Sequence, residues 1–282
     1  MAKLIVITGA TSGIGEALVK RFLKRGEIVF AIGRNPAKLE ALKTQALEGG
    51  QLQTFQADFA KLKDIDDVAE ALLKAAPNGI DVLIHNAAVV PSSKRFSEDN
   101  IELQLQVNHL AVVKLTHLLY PALMANHATV ITTSSDAHKG GRFKEKDIVP
   151  NPRYGIFRTY AKTKLYNLMF SAYLKAHHGD KLHVFAVHPG VVKTDLGVKD
   201  NSRFMQKVWR FVTKRAATPD TVPPTYEMLV EQASSLEHLY YAHQKPLNHL
   251  SVVNDASKQT ALMNASLKLL NLSSFGHHDD EA

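Results

Sequence analysis

Short β-branched runs alternate with longer amphipathic stretches from the first residues of this chain onward. We predict six strands from these runs: Leu4–Thr8, Ile28–Gly33, Leu52–Gln56, Val82–His85, Thr129–Thr133 and His183–Val187. The stretches between them have helical length and lie at about 14–26, 36–47, 61–75, 98–125 and 157–177. Such alternation builds βαβ units, because two parallel neighbours need a crossover connection. The expected fold class is therefore α/β, a parallel sheet covered by helices on both faces.

Composition and charge narrow the function classes. The 282 residues include no cysteine, which excludes a disulfide scaffold, a thiolate zinc site and a cysteine nucleophile. The net charge of +7 resides in residues 1–198, because residues 199–282 hold nine basic and nine acidic side chains. The basic residues form no block and no motif of stacking aromatics, so we expect no nucleic-acid partner. The histidines lack metal-ligand spacing, and no metal is expected.

A glycine-rich turn, Thr8-Gly9-Ala10-Thr11-Ser12-Gly13-Ile14-Gly15, joins the first predicted strand to the first helix. Glycine lets the backbone approach a pyrophosphate closely, and the N-terminus of the following helix offers free N–H groups. Within a βαβ series the turn predicts dinucleotide binding by a doubly wound, Rossmann-type sheet; a purely structural turn is the alternative. The predicted cofactor contacts in this turn are Gly9, Thr11, Ser12, Gly13, Ile14 and Gly15.

The residues after the second and third predicted strands bear on which cofactor binds. Arg34 follows Gly33 at the position where an acidic residue would favour NAD. A guanidinium can pair with a 2′-phosphate, so Arg34 predicts NADP (NADPH) as the cofactor, with a solvated arginine as the alternative. Asp58 is expected either to accept a hydrogen bond from the adenine amino group or to cap the next helix.

From the glycine turn onward the chain resembles the short-chain dehydrogenase/reductase family, over about residues 3–195. His85-Asn86-Ala87-Ala88 is similar to the family's Asn-Asn-Ala-Gly after the fourth strand. The segment from His188 to Thr194 resembles its Pro-Gly turn after the sixth strand. The resemblance implies cofactor contacts by Asn86, Ala87, Pro189, Val192 and Thr194.

Tyr160 and Lys164 share one face of the predicted helix at 157–177, because they are four residues apart. A nearby cation favours the phenolate, and lowering a tyrosine pKa from about 10 by three units takes about 4 kcal/mol. Taken alone, the two residues are also consistent with an incidental pair on an amphipathic helix. Ser135 follows the fifth predicted strand and so stands at the carboxyl edge of the sheet, with Ser134 as the competing hydroxyl.

The resemblance assigns a catalytic tetrad of Asn108, Ser135, Tyr160 and Lys164. It implies that Ser135 holds the substrate oxygen and that Tyr160 exchanges its proton. It further implies that Lys164 binds the nicotinamide ribose beside Tyr160, and that Asn108 holds a water leading from Lys164 to solvent. The expected function is an NADP(H)-dependent oxidoreductase that transfers hydride between nicotinamide and a small-molecule carbonyl or alcohol. A non-catalytic NADPH-binding sensor of the same fold is the alternative.

The remaining expectations concern the substrate, the lid and the setting of the protein. The long insert between Ser135 and Tyr160 resembles the retinol-dehydrogenase-like branch, which implies an apolar substrate. The basic amphipathic stretch at 199–215, with Phe204 and Trp209, resembles the family's substrate lid; membrane contact is the alternative. We expect one domain over 1–282, with the cofactor-binding core at about 1–195 and the lid and C-terminal helices at about 196–282.

The chain shows no signal peptide or membrane span, because the apolar run after Ala2 is too short, so a cytoplasmic location is expected. Pairing of two copies as a homo-oligomer through the two longest predicted helices stays open.

Overall fold

The computed structural model describes residues 1–44, 49–145, 148, 155–192 and 216–276. These residues form one eight-stranded sheet and the helices that cover it. The strands are β1 (Leu4–Thr8), β2 (Ile28–Gly33), β3 (Gln51–Gln56), β4 (Val82–His85), β5 (Thr129–Thr133), β6 (His183–Val187), β7 (Tyr240–Ala242) and β8 (Lys245–Pro246). The helices are α1 (Gly13–Lys24), α2 (Pro36–Thr44), α3 (Leu62–Ala75), α4 (Leu103–Leu105), α5 (Ala111–Ala125), α6 (Ile156–His178), α7 (Pro223–Glu231) and α8 (Ala256–Leu269).

The strand order is β3-β2-β1-β4-β5-β6-β7-β8, and only the last pair is antiparallel. Val6 in β1 pairs with Phe30 of β2 on one side and with Leu83 of β4 on the other. The order therefore reverses beside β1, which opens a crevice at the carboxyl ends of β1 and β4, where such sheets bind ligands. The predicted doubly wound parallel sheet is confirmed.

Two apolar cores lie on opposite faces of the sheet. Successive side chains of a strand point to opposite faces, so Ile5 and Ile7 enter one core and Val6 enters the other. Helices α1 and α7 cover the first face, and helices α3, α5, α6 and α8 cover the second. The central strands β1, β2, β4, β5 and β6 are almost wholly buried, which explains why most of them are nearly continuous runs of apolar residues.

The predicted helix at 98–125 is wrong at its start and in its continuity. Asn100 has a left-handed φ of 58°, and helical backbone begins only with α4. A π-helical turn at Gln106–Leu110 then separates α4 from α5. Such a turn carries one extra residue, which apolar periodicity alone does not reveal, and it is frequent at functional sites.

The described part of the C-terminal region adds two strands that the sequence did not predict. β7 extends the parallel sheet beside β6, and the turn His243–Gln244 leads into β8. Before them, helix α7 begins at Pro223, where a missing N–H costs nothing, and ends at Glu231. The predicted lid at 199–215 lies outside the described residues.

None of the helices in the described ranges is long and apolar enough to cross a membrane. The cytoplasmic location stays a prediction.

Candidate active site

A cavity of about 640 Å³ lies at the carboxyl ends of the strands, where the order of the sheet reverses. The glycine turn after β1 forms one end of it. Gly9 has a left-handed φ of 65°, and a Cβ there would lie 2.8 Å from the Cα of Ala87. A Cβ on Gly15 would collide with the carbonyl oxygen of Gly9. Both positions need glycine to hold the N-terminus of α1 against the turn, and Gly9, Thr11, Ser12, Gly13 and Ile14 line the cavity.

Four hydrogen bonds join the ends of β1 and β4 next to the cavity. The Thr8 hydroxyl accepts the main-chain N–H groups of Asn86 at 2.9 Å and Ala87 at 3.0 Å. In return, Asn86 Nδ2 donates to the carbonyl oxygens of Thr8 and Gly9, at 3.1 and 3.3 Å. Asn86 therefore shapes the glycine turn, and both Asn86 and Ala87 line the cavity. The sequence argument missed Thr8, whose signal is a hydroxyl at the strand end beside the glycine.

Arg34 and Asp58 also line this cavity. The Arg34 side chain is exposed and directly follows β2. Asp58 Oδ1 accepts the N–H of Ala60 at 3.1 Å, and its carbonyl accepts the N–H of Lys61 at 2.9 Å. The carboxylate thus shapes the turn before α3, whose N-cap residue is Lys61, while it also lines the cavity.

Ser135, Tyr160 and Lys164 lie together in the lining of the same cavity. The Tyr160 hydroxyl is hydrogen-bonded to Ser135. Lys164 Nζ lies 5.6 Å from the centre of the Tyr160 ring and donates to the carbonyl oxygen of Thr133 at 2.7 Å. Ser134, the competing hydroxyl, is buried and donates to the carbonyl oxygen of Lys164 at 3.0 Å, which leaves Ser135 as the serine that meets Tyr160.

Burial determines the protonation states of Tyr160 and Lys164. It raises the pKa of Tyr160 to about 12, and the hydrogen bond with Ser135 offsets only part of that rise. It also lowers the pKa of Lys164 to about 8. A nearby cation favours the phenolate, as the sequence predicts, but this desolvation is the larger effect here. At pH 7 the site therefore holds a phenol, able to donate a proton, beside an ammonium group.

Asn108 lies in the π-helical turn and is fully buried. Its Oδ1 accepts the N–H of Val89 at 2.7 Å, and its Nδ2 donates to the Val89 carbonyl oxygen at 3.0 Å. Nδ2 also lies 3.3 Å from the hydroxyl of Thr163, which donates to the carbonyl oxygen of Tyr160 at 2.9 Å. The Asn108 carbonyl oxygen accepts Nδ2 of Asn167 at 2.8 Å. Asn108 thus connects the cavity wall at Val89 to the helix that carries Tyr160.

The Pro-Gly turn after β6 also contributes to the lining of the cavity, through Pro189 and Val192 among others. Gly190 has a φ of 82°, and a Cβ there would lie 3.4 Å from the His243 ring, in the turn between β7 and β8. Thr194 lies outside the described residues. Sequence reasoning missed the contribution of this hairpin, because no motif links it to the Pro-Gly turn.

Many of the side chains that line the cavity are apolar, although Arg95, Asp136 and His188 also line it. Phe157 and Val191 are 53% and 58% exposed. Other apolar lining residues are Val89, Val90, Pro91, Leu103 and Val107. Sequence analysis did not single these residues out, because a lining position is set by tertiary packing rather than by a local pattern.

Histidine near the site plays a structural part. His85 Nε2 lies 2.7 Å from the Thr116 hydroxyl, and burial lowers the pKa of His85 to about 3, so its ring is neutral. Within the described ranges no three His, Asp or Glu side chains are grouped to hold a metal ion.

Comparisons with known proteins identify the family of this chain. The sequence profile of short chain dehydrogenases matches residues 3–203, so the chain belongs to the short-chain dehydrogenase family of oxidoreductases acting on alcohols and carbonyls. Retinol dehydrogenase 12 of Mus musculus is 29% identical over 277 residues, which cover 96% of this chain and 87% of that protein.

Two solved structures share the fold. A short-chain dehydrogenase from Sphingobium yanoikuyae in complex with NADPH superposes with a TM-score of 0.68 at 21% identity, with 99% of each chain covered. The 3-ketoacyl-(acyl-carrier-protein) reductase from Brucella melitensis, complexed with NADH, gives a TM-score of 0.65 at 25% identity, covering 86% of this chain and 96% of that one. Structural neighbours of this chain thus bind nicotinamide cofactors of both kinds.

Proposed function

We propose that this protein is an NADP(H)-dependent oxidoreductase that reduces apolar carbonyl compounds and oxidises the corresponding alcohols, with Tyr160 as the acid and base. The observation that carries the proposal is the grouping of three side chains at the cavity: the Tyr160 hydroxyl is hydrogen-bonded to Ser135, and Lys164 Nζ lies 5.6 Å from the centre of the Tyr160 ring. A tyrosine, a hydroxyl donor and a cation at one end of a dinucleotide-sized cavity fit carbonyl reduction.

The cavity fits a nicotinamide dinucleotide. Glycines keep the turn after β1 clear of side chains, and the N-terminus of α1 points N–H groups and the positive end of its dipole at this turn. Arg34 would hold the 2′-phosphate, since residues 33–35 contain no acidic side chain for a free ribose hydroxyl. Asn86, Ala87, Pro189, Val192 and Lys164 line the path toward Tyr160. When bound, this cofactor supplies or accepts the hydride.

The residues around the substrate oxygen handle its proton. Ser135 would donate to the carbonyl oxygen and hold it beside the Tyr160 hydroxyl. Tyr160, protonated at pH 7, would donate its proton as the carbonyl becomes an alkoxide, since an alkoxide is much more basic than a phenolate. Lys164 then stabilises the phenolate by its charge. In alcohol oxidation the same phenolate accepts the proton.

The apolar walls favour a substrate whose carbonyl sits on a hydrophobic body. Pro91, Val107 and Phe157 offer no hydrogen bond from their side chains, so polar groups on this part of the substrate would lose their water without compensation. The predicted lid at 199–215, Thr194 as a contact, and the single domain over 1–282 remain parts of the proposal.

The test is NADPH consumption with a panel of aliphatic, aromatic and terpenoid aldehydes and ketones. Tyr160→Phe is expected to lose turnover and to retain NADPH binding, measured by quenching of protein fluorescence. Tyr173→Phe is the matched control, since Tyr173 is a partly buried tyrosine on the same helix outside the cavity lining. Turnover retained by Tyr160→Phe would remove Tyr160 as the acid. Tight NADPH binding with no turnover of any substrate would favour the sensor of the same fold.

A further inference from the structure

A chain of buried hydrogen bonds runs from the C-terminal helix to the active site. Ser266 Oγ on α8 lies 2.9 Å from His109 Nε2, and His109 Nδ1 lies 3.2 Å from Asn167 Oδ1. Asn167 Nδ2 donates to the Asn108 carbonyl oxygen at 2.8 Å. All four residues are at most 2% exposed. These hydrogen bonds therefore connect three elements, α8, α6 and the π-helical turn, through residues that are buried from solvent.

The direction of these hydrogen bonds follows from one fixed acceptor. The Asn108 carbonyl can only accept, so Asn167 presents Nδ2 to it and turns Oδ1 toward His109. That oxygen also only accepts, so His109 carries its proton on Nδ1. Burial lowers the pKa of His109 to about 4, so the ring is neutral at pH 7 and Nε2 accepts from the Ser266 hydroxyl. When it does not donate to His109, that hydroxyl donates to the Leu262 carbonyl, 2.9 Å away.

The residue at the end of this chain holds two parts of the active site. The Asn108 side chain binds both main-chain polar groups of Val89, which lines the cavity. It also contacts the Thr163 hydroxyl, which is bonded to the Tyr160 carbonyl. A rotation of the π-helical turn would move Val89 and the turn of α6 that carries Tyr160.

We propose that His109 is a positioning residue for the reaction, acting with Asn167 and Ser266 to fix the orientation of Asn108. The expected change in kcat rests on the proposed function, whereas the expected change in hydrogen exchange does not. Ser266 lies beyond residue 203, where the match to the family profile ends, so α8 supplies a determinant of the active site that the profile does not contain. A merely structural role would affect stability without affecting the catalytic parameters.

The test compares Ser266→Ala with Ser171→Ala. Ser171 is also a fully buried serine, and its hydroxyl donates to the main-chain oxygen of Asn167 at 3.0 Å. It makes no hydrogen bond to the Asn167 side chain, which is the part of Asn167 that contacts His109 and Asn108. We expect Ser266→Ala to lower kcat on the order of tenfold, because misplacement of reacting groups is costly, with NADPH affinity within twofold. Ser171→Ala should leave kcat unchanged. His109→Asn, which can still donate to Asn167, should keep more activity than His109→Leu.

A second readout does not need turnover. The Val89 N–H donates to Asn108, so its hydrogen exchange in the ligand-free protein reports on this positioning. Ser266→Ala and His109→Leu should accelerate exchange at Val89, and Ser171→Ala should not. Unchanged exchange in both variants, or kcat equal to that of Ser171→Ala, would overturn the proposal. Accelerated exchange in a protein whose wild type shows no turnover would support the positioning link and refute the proposed enzyme.

Discussion

Replacement of Lys164 by methionine tests whether the charge of Lys164 stabilises the phenolate of Tyr160. In the proposed mechanism alcohol oxidation needs the phenolate of Tyr160, which burial disfavours by raising the pKa of Tyr160 to about 12. The ammonium nitrogen of Lys164 lies 5.6 Å from the centre of the tyrosine ring. With an effective dielectric constant of about 20, one charge at this distance stabilises the phenolate by about 3 kcal/mol. This energy corresponds to about two pKa units, or about a hundredfold in the phenolate population.

The assay is kcat for alcohol oxidation against pH, at saturating alcohol and NADP. We expect Lys164→Met to lower kcat about a hundredfold and to raise the apparent pKa of the profile by about two units. Saturation matters because Lys164 is also a proposed cofactor contact, so cofactor affinity is measured separately by fluorescence.

The matched control is Lys175→Met. Lys175 is a partly buried lysine on the same helix that donates to the carbonyl oxygen of Glu237, so the control reproduces the loss of a lysine–carbonyl hydrogen bond. Its kcat and pH profile should match the wild type. If Lys164→Met keeps kcat within a factor of about three and its profile does not move, the charge of Lys164 does not set the acidity of the tyrosine.

Three further predictions concern the cofactor, acid stability and assembly. Arg34→Asp should raise KM for NADPH about 10- to 100-fold and improve NADH use, since it would remove the proposed charge-assisted bond to the 2′-phosphate; unchanged cofactor preference in steady-state kinetics would contradict this role. His85 and His109 have folded pKa values of about 3 and 4, below the ordinary 6.5, so the unfolded chain binds more protons and stability falls as the pH drops below about 6.5. By pH 5 the loss is about 2 kcal/mol for each histidine, so His85→Gln should lose about 2 kcal/mol less stability than the wild type between pH 7 and pH 5 in urea unfolding. We expect a monomer by light scattering, because α8 packs on α6 and Phe275 packs on Phe170 at 5.9 Å between ring centres, which covers the outer face of α6; a stable dimer through that face would refute this.

Local sequence patterns were sufficient for the strands that hold the site. Five of the six predicted strands have the predicted bounds, and the third begins one residue earlier, at Gln51. The motifs that follow these strands meet because the carboxyl ends of parallel strands lie at one edge of a sheet. This geometry explains why Gly9, Asn86, Ser135 and Pro189, distant in sequence, line one cavity.

Features that depend on tertiary contacts were not predicted. β7 has three residues, too few for an alternating pattern to register, and its hairpin turns at His243 and Gln244 without a glycine at either left-handed position. The partner of the Asn108 carbonyl comes from α6, and the partner of His109 comes from α8. Such pairings join residues up to 157 positions apart, which no local pattern encodes.

The last strand also decides how far the sheet can grow. β8 has only two residues, Lys245 and Pro246, and both are exposed. Proline has no N–H to offer a further strand, and a charged lysine beside it discourages apolar stacking at the edge. Pro246 pairs with Tyr241 of β7, so β8 covers the edge of β7. Without β8, the edge of the sheet would be the parallel strand β7, which contains two tyrosines. A second molecule thus meets a short, charged edge strand there. This strand disfavours edge-to-edge pairing of two sheets, which is the contact that builds a fibre.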